Sequence, residues 1–176
     1  MLVYRGGVAA ALGHNHVIVN RSLEGWVRFD GSVADSAFFL SVPTAGFVVD
    51  EAAARRQEGA EFSEDVTADA GSATLHNMLS PAVLDAQNHP VISVESVSIE
   101  PAPGGAQAAV RVSVAGHESN LLVPFTLDIS SGELRARGDL TLRQTGLGLT
   151  PMSVLLGTLR VEDALRLKLD LIAVRG

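Results

Sequence analysis

Leu165-Arg166-Leu167-Lys168-Leu169-Asp170-Leu171-Ile172-Ala173 is rich in leucine, as a helix would be. Yet its apolar residues fall on alternate positions, with Arg166, Lys168 and Asp170 between them. Wound as a helix, the stretch would spread charge around every face; laid out as a strand, it puts the leucines on one side and the charges on the other. The period therefore overrules the composition. Working outward, Leu134, Ala136, Gly138, Leu140 and Leu142 alternate with Arg135, Arg137, Asp139, Thr141 and Arg143. Leu121, Val123, Phe125, Leu127 and Ile129 form a third set, in which Pro124 predicts an edge or bulge because proline donates nothing to a ladder. Ala108, Val110, Val112 and Val114 form a fourth, and Leu23, Gly25, Val27 and Phe29 a fifth.

Two places break the rhythm. Ile92 and Val94 are apolar at even positions and Val97 and Ile99 at odd ones, so a bulge residue is expected near Glu95-Ser96. Residues 37–49 hold a less regular pair around Pro43-Thr44. Between Asp50 and Asn88 the period becomes helical: a short turn after Asp50 as its N-cap, a helix over 64–79, and one turn over Ser80-Pro81-Ala82-Val83-Leu84-Asp85. Gly104-Gly105 and Ser130-Ser131-Gly132 carry hairpin turn chemistry.

The chain has 176 residues, the size of one domain, with 47% hydrophobic and 19% charged residues, so a packed core is expected rather than disorder. A formal net charge of −7 repels phosphate backbones and argues against nucleic acid as a partner. With no cysteine there is no disulfide, thiolate nucleophile or Cys-ligated zinc. The run from Leu147 to Leu159 is interrupted by Thr150, Pro151, Ser153, Gly157 and Thr158, and falls short of the ~20 residues of a membrane helix. The N-terminal stretch lacks the basic lead of a signal peptide and reads as mature sequence.

Seven or eight antiparallel strands with a helical insert suit a sandwich or a closed barrel. The uncharged inner faces of the last four strands favour the barrel. By parity its lumen is lined by Leu23, Val27, Phe29, Phe38, Val94, Val110, Val112, Val123, Phe125, Leu140, Leu142, Leu167 and Leu169. Such a barrel is either filled by its own side chains or holds an apolar ligand. The segment from Leu147 to Val161 reads as a core-packing connection or as a lid, with Met152, Leu155 and Leu156 its lid residues.

The segment Asn77-Met78-Leu79-Ser80-Pro81-Ala82-Val83-Leu84-Asp85-Ala86-Gln87-Asn88-His89-Pro90-Val91-Ile92-Ser93-Val94-Glu95-Ser96 resembles a signature of the bacterial YceI-like, polyisoprenoid-binding family. Gly138-Asp139-Leu140-Thr141-Leu142 is similar to that family's late strand, and Leu12-Gly13-His14-Asn15-His16-Val17-Ile18 to the N-terminal strand of one of its branches. The three stand in the right order. Departures fall at Asn77-Met78, at Arg143-Gln144-Thr145-Gly146, and at His89, where an aromatic is usual. The resemblance implies one all-β domain over residues 1–176: an antiparallel, eight-stranded, lipocalin-like barrel with a short helical insert around residues 50–88. It also implies binding, sequestration or transport of a polyisoprenoid or fatty-acyl lipid in the lumen, in the periplasm or outside the cell. A homodimer is compatible with it.

His14 and His16 share one side of a strand, a spacing that suits a divalent metal, but a third ligand would have to come from His76, His89 or His117. A strand-end hydrogen-bonding motif is the simpler expectation. No Gly-x-Ser-x-Gly, His-Glu-x-x-His or phosphate loop is present. The expectation is a binding protein with no catalytic residue, metal or cofactor; a His-based metal enzyme and a structural domain with a filled barrel are the alternatives. Arg135, Arg137 and Arg143 share a strand face and read as a solvated stripe.

Overall fold

A computed structural model describes residues 1–130 and 132–175. The short N-terminal strands β1 (Leu2–Val3) and β2 (Arg5–Gly6) precede β3 (His16–Asn20), β4 (Glu24–Arg28), β5 (Ala37–Pro43) and β6 (Phe47–Val49). Two helices follow, α1 (Ala52–Arg55) and α2 (Ala68–Leu79). The long strands are β7 (Val91–Ala102), β8 (Gly105–Val114), β9 (His117–Ser130), β10 (Glu133–Arg143) and β13 (Ala164–Val174), with the short β11 (Ser153–Val154) and β12 (Leu159–Val161) inserted before the last.

Ten strands form one antiparallel sheet among the described residues, in the order β4-β5-β7-β8-β9-β10-β13-β1-β3-β6, and β11-β12-β2 form a smaller one. The sequence reading missed β1, which at two residues is too short to show a period, while β5 and β6 are the irregular pair expected over 37–49. The chain crosses from β5, second from one end of the large sheet, to β6 at the other through Thr44–Gly46 alone. It crosses from β3 to β4 through residues 21–23. Flat, eight strand spacings would separate each pair by about 38 Å. Three residues reach roughly 11 Å. The sheet is therefore strongly curled into a half-barrel, and the Asn20 side-chain amide donates to the Pro43 carbonyl at 2.8 Å across the gap.

Long-strand parity follows the sequence. Leu134, Leu140 and Leu142 of β10 register against Ala173, Leu167 and Leu165 of β13. The bulge lies where the phase slips: Ser96 pairs with Val110 and Ser98 with Ala109, leaving Val97 unpaired and 60% exposed. This extra residue returns Ile99 to the inner face, where it is buried. The β9–β10 ladder stops at Thr126–Arg137, two residues from Pro124, so the sheet splits where proline leaves no donor. Of the hairpin turn at 130–132, Ser131 lies outside the described residues.

The main core gathers Ala106, Ala108, Val110, Val112 and Val114 of β8 around Ile99, Leu84, Leu147 and Leu149. A second cluster of Leu2, Val17, Ala54 and Phe62 packs where the α1 segment covers the strands, so that Val17 and Ile18 of β3 are both buried although they point to opposite faces.

Two helical expectations need correction. Asp50 does not cap α1, whose N-cap is Glu51 without a side-chain bond; Asp50 adopts φ +56 and turns its carboxylate inward. Ser80–Asp85 is a turn, not a helix, because Leu84 and Ala86 donate their N–H groups back to Met78 and Leu79, satisfying carbonyls that the end of α2 leaves open. Helix α2 starts at Ala68, with the Thr67 hydroxyl accepting from Ala70 N–H.

Candidate functional site

The curl of the sheet encloses a mostly apolar cavity of about 1300 Å³. All thirteen lumen positions derived from parity border it. Their burial divides by strand: Val110 and Val112 of β8 are buried by the core, while Leu140, Leu142, Leu167, Leu169, Val123 and Phe125 are only half-buried although they face inward. Inward leucines in a filled barrel would be buried by one another, since interiors pack without voids. Here they keep accessible surface toward the cavity.

One end of the cavity is polar. His14, His16, Thr74 and Asn77 line it beside Tyr4 and Arg5. His16 Nδ1 lies 2.6 Å from Asp50 Oδ2. The other carboxylate oxygen accepts Val17 N–H at 3.0 Å and Arg55 Nη1 at 2.5 Å. Burial by itself raises the Asp50 carboxyl, but the hydrogen bonds from His16, Val17 and Arg55 outweigh it and hold the group below its ordinary value. On the far side of the ring, His16 Nε2 is 3.3 Å from Thr74 Oγ1, which also donates to Ala70 O at 2.9 Å. Arg55 ties the surrounding loop together by donating to the carbonyls of Asn15, Phe62 and Glu64.

No family model matches the sequence, and no curated protein matches it at a significant level. Solved structures do. The crystal structure of Burkholderia cenocepacia BcnA superposes with a TM-score of 0.66 at 14% identity, covering 98% of this chain and 96% of that one. That of the Campylobacter jejuni YCEI protein gives 0.64 at 8% identity, over 91% and 85% of the two chains, and a mutant of the same protein gives 0.66.

The chain has the YceI fold.

Within the YceI fold, the long 147–161 connection divides its roles. Leu147 and Leu149 are buried in the core, and Met152 borders the cavity. Leu156 stands fully exposed in solvent at φ +54, and the Leu155 side chain lies outside what the structure describes. The arginine stripe is neutralised by carboxylates: Arg135 makes a bidentate pair with Asp170, Arg137 approaches the same Asp170 at 3.6 Å, and Arg143 meets Asp163 at 3.3 Å. Lys168 points outward as parity requires, where its Nζ meets Glu58 Oε2 at 2.5 Å.

The rings of His14 and His16 stand 6.3 Å apart, and His16 is committed through Nδ1 to Asp50. No group of three His, Cys, Asp or Glu side chains suited to a metal occurs among the described residues. Sequence reasoning missed Asp50 and Arg55 as partners of His16, because an acid ahead of a short helix reads equally as a cap. It also missed Thr74 and Asn77, whose i,i+3 spacing on α2 was the available signal that they share a face.

Proposed function

We propose that this protein binds a long-chain apolar ligand, of polyisoprenoid or fatty-acyl type, in the cavity and sequesters or transports it, the half-barrel serving as a lipocalin-like cup. The observation that carries this reading is the cavity itself: about 1300 Å³, walled by inward leucines, valines and phenylalanines that keep exposed surface. Its size exceeds the roughly 300–1,000 Å³ of ordinary small-molecule pockets and suits an extended chain. Each buried CH₂ contributes about 0.8 kcal/mol, so a dozen carbons supply ample driving force after the cost of ordering the chain. The role is non-catalytic in this reading, and the family resemblance suggests the periplasm or the cell exterior as its place. No helix among the described residues is long and apolar enough to cross a membrane.

The test is mass spectrometry of an organic extract of the purified protein. A lipid near one-to-one stoichiometry supports the reading. A protein that carries no lipid and takes up neither an added isoprenoid nor an added fatty acid refutes it.

A further inference from the structure

Two segments without a charged residue, 6–13 and 144–159, lie far apart in sequence and meet in the structure. Strands β2 and β12 pair, Gly6 against Arg160, and Ala9 N–H donates to the Thr158 carbonyl at 2.8 Å. Gly7, at φ +88, leaves no room for a side chain against that carbonyl, so the two loops touch backbone to backbone. Their apolar side chains point away into solvent. Val8 is 93% exposed, Leu12 72%, Val154 41%, and Leu156 fully. Single apolar residues scattered over a surface need no explanation, but four on two adjoining loops do. Leu156 is also held at φ +54, in the left-handed region that strains a leucine, with Gly157 after it at φ +86. Backbone strain at a leucine that faces water is an outlier of the kind that marks function. The same two segments line the cavity through Gly13, Val154 and Leu159, and Gly13 adjoins the 35% exposed His14 at the polar end. The apolar tip therefore stands beside an opening of the cavity.

We propose that this tip docks on a zwitterionic lipid surface, with Val8, Leu12 and Leu156 entering its apolar layer, so that a chain passes between bilayer and cavity without crossing water. The proposal rests on the lipid-binding reading above and names the partner that supplies or receives the chain. Two observations choose the occupant. The charges beside the tip are balanced, since Arg5 faces Glu64 at 3.1 Å and Arg160 faces Glu162 at 3.8 Å. Such a rim suits head groups that carry both signs, while the formal net charge of −7 opposes an anionic surface. Four side chains also fall far short of the ~20–30 residues a side that a stable protein interface uses. Binding to a bilayer scales with the apolar surface inserted and needs no matching partner face.

The experiment floats the full chain with phosphatidylcholine vesicles. Wild type should rise with them, and Leu156→Asp should bind about 10-fold or more weakly, the worth of one leucine side chain withdrawn from an apolar layer. Leu156→Gly relieves the positive φ, so it should weaken binding while keeping or raising thermal stability, which separates lost docking from lost folding. Val97→Asp changes an exposed apolar residue of β7 outside the tip and should bind as wild type does. The chain has no cysteine, so Val8→Cys can carry a single nitrobenzoxadiazole label, whose emission should shift to the blue on vesicles. The same label on Val97→Cys should not shift. If wild type does not float, if both Leu156 variants float as wild type does, or if phosphatidylglycerol vesicles bind more tightly than phosphatidylcholine, the docking surface falls and the cavity reading stands. A concentration-dependent dimer that Leu156→Asp dissolves overturns it equally, with a second copy as the occupant. If vesicles bind but neither an isoprenoid nor a fatty acid is taken up, the lipid-binding reading falls and takes the transfer role with it.

Discussion

His16 and Asp50, 34 residues apart in sequence, meet with Nδ1 2.6 Å from Oδ2 at the polar end of an apolar cavity. The carboxylate is 5% exposed and Arg55 10% exposed, so the ion pair beside the histidine is nearly dry. The buried carboxylate survives because both of its oxygens find donors; once a partner is taken away, the remaining charge is stranded.

Asp50→Ala is therefore expected to destabilise the fold by about 3–5 kcal/mol, the cost of leaving a buried arginine unpaired. Urea denaturation measures it. A loss below about 1 kcal/mol would mean that Arg55 finds water or another acid, against the geometry described.

Acid should unfold the protein partly through the same group. Asp50 is held below its ordinary value, so the native state binds fewer protons than the unfolded chain in acid. Its stabilisation is fully present above the unfolded carboxyl value of about 4 and is lost as pH falls through the folded value. The urea midpoint should fall on acidification from about pH 4, and Asp50→Asn should flatten that fall. Part of the slope will persist in the variant, because hydrogen bonds from Arg166, Thr145 N–H and Arg135 lower Asp139, Asp163 and Asp170 in the same direction. A midpoint that rises in acid contradicts the assignment.

Two valine or leucine to phenylalanine changes separate cavity wall from core. Leu169 borders the cavity half-buried, so Leu169→Phe should compete with a fluorescent fatty acid while costing little stability. Val110 is 1% exposed in the core of β8, so Val110→Phe should overpack and lower stability by about 1–3 kcal/mol. Equal destabilisation by both changes would mean a solid interior.

The bulge makes its own prediction. Without Val97 as the extra residue, Ile99 would share the outer face with Glu95; with it, Ile99 is 5% exposed. Ile99→Ala should cost about 2–5 kcal/mol, and Val97→Ala less than about 0.5. Thermal denaturation of the two variants checks the order.

Lys168→Glu looks harmless from parity alone, since the side chain points outward. Its ammonium sits 2.5 Å from Glu58, whose side chain is only 13% exposed, so the reversal places two carboxylates together. A measurable loss of melting temperature is expected, recovered when Glu58→Lys is added; no recovery would show that the pair does not couple.

Alternation of Leu165 to Ala173 and of Leu134 to Leu142, the slip between Val94 and Val97 and the break at Pro124 were all legible in the sequence. They follow from the pleat, which sends neighbouring side chains to opposite faces whatever the rest of the chain does. Tertiary structure alone decided the rest. A strand of two residues carries no period, so β1 exists only because β13 and β3 stand beside it. Asp50 had two local options, cap or ion pair, and the choice fell to the φ of +56 that turns its carboxylate to His16, Val17 and Arg55. Thr74 reaches His16 across 58 residues. Whether inward leucines meet each other or a cavity depends on how tightly ten strands curl. That curl is set by the three-residue crossings from β3 to β4 and from β5 to β6, which pull distant ends of one sheet together, and no local pattern of hydrophobicity encodes it.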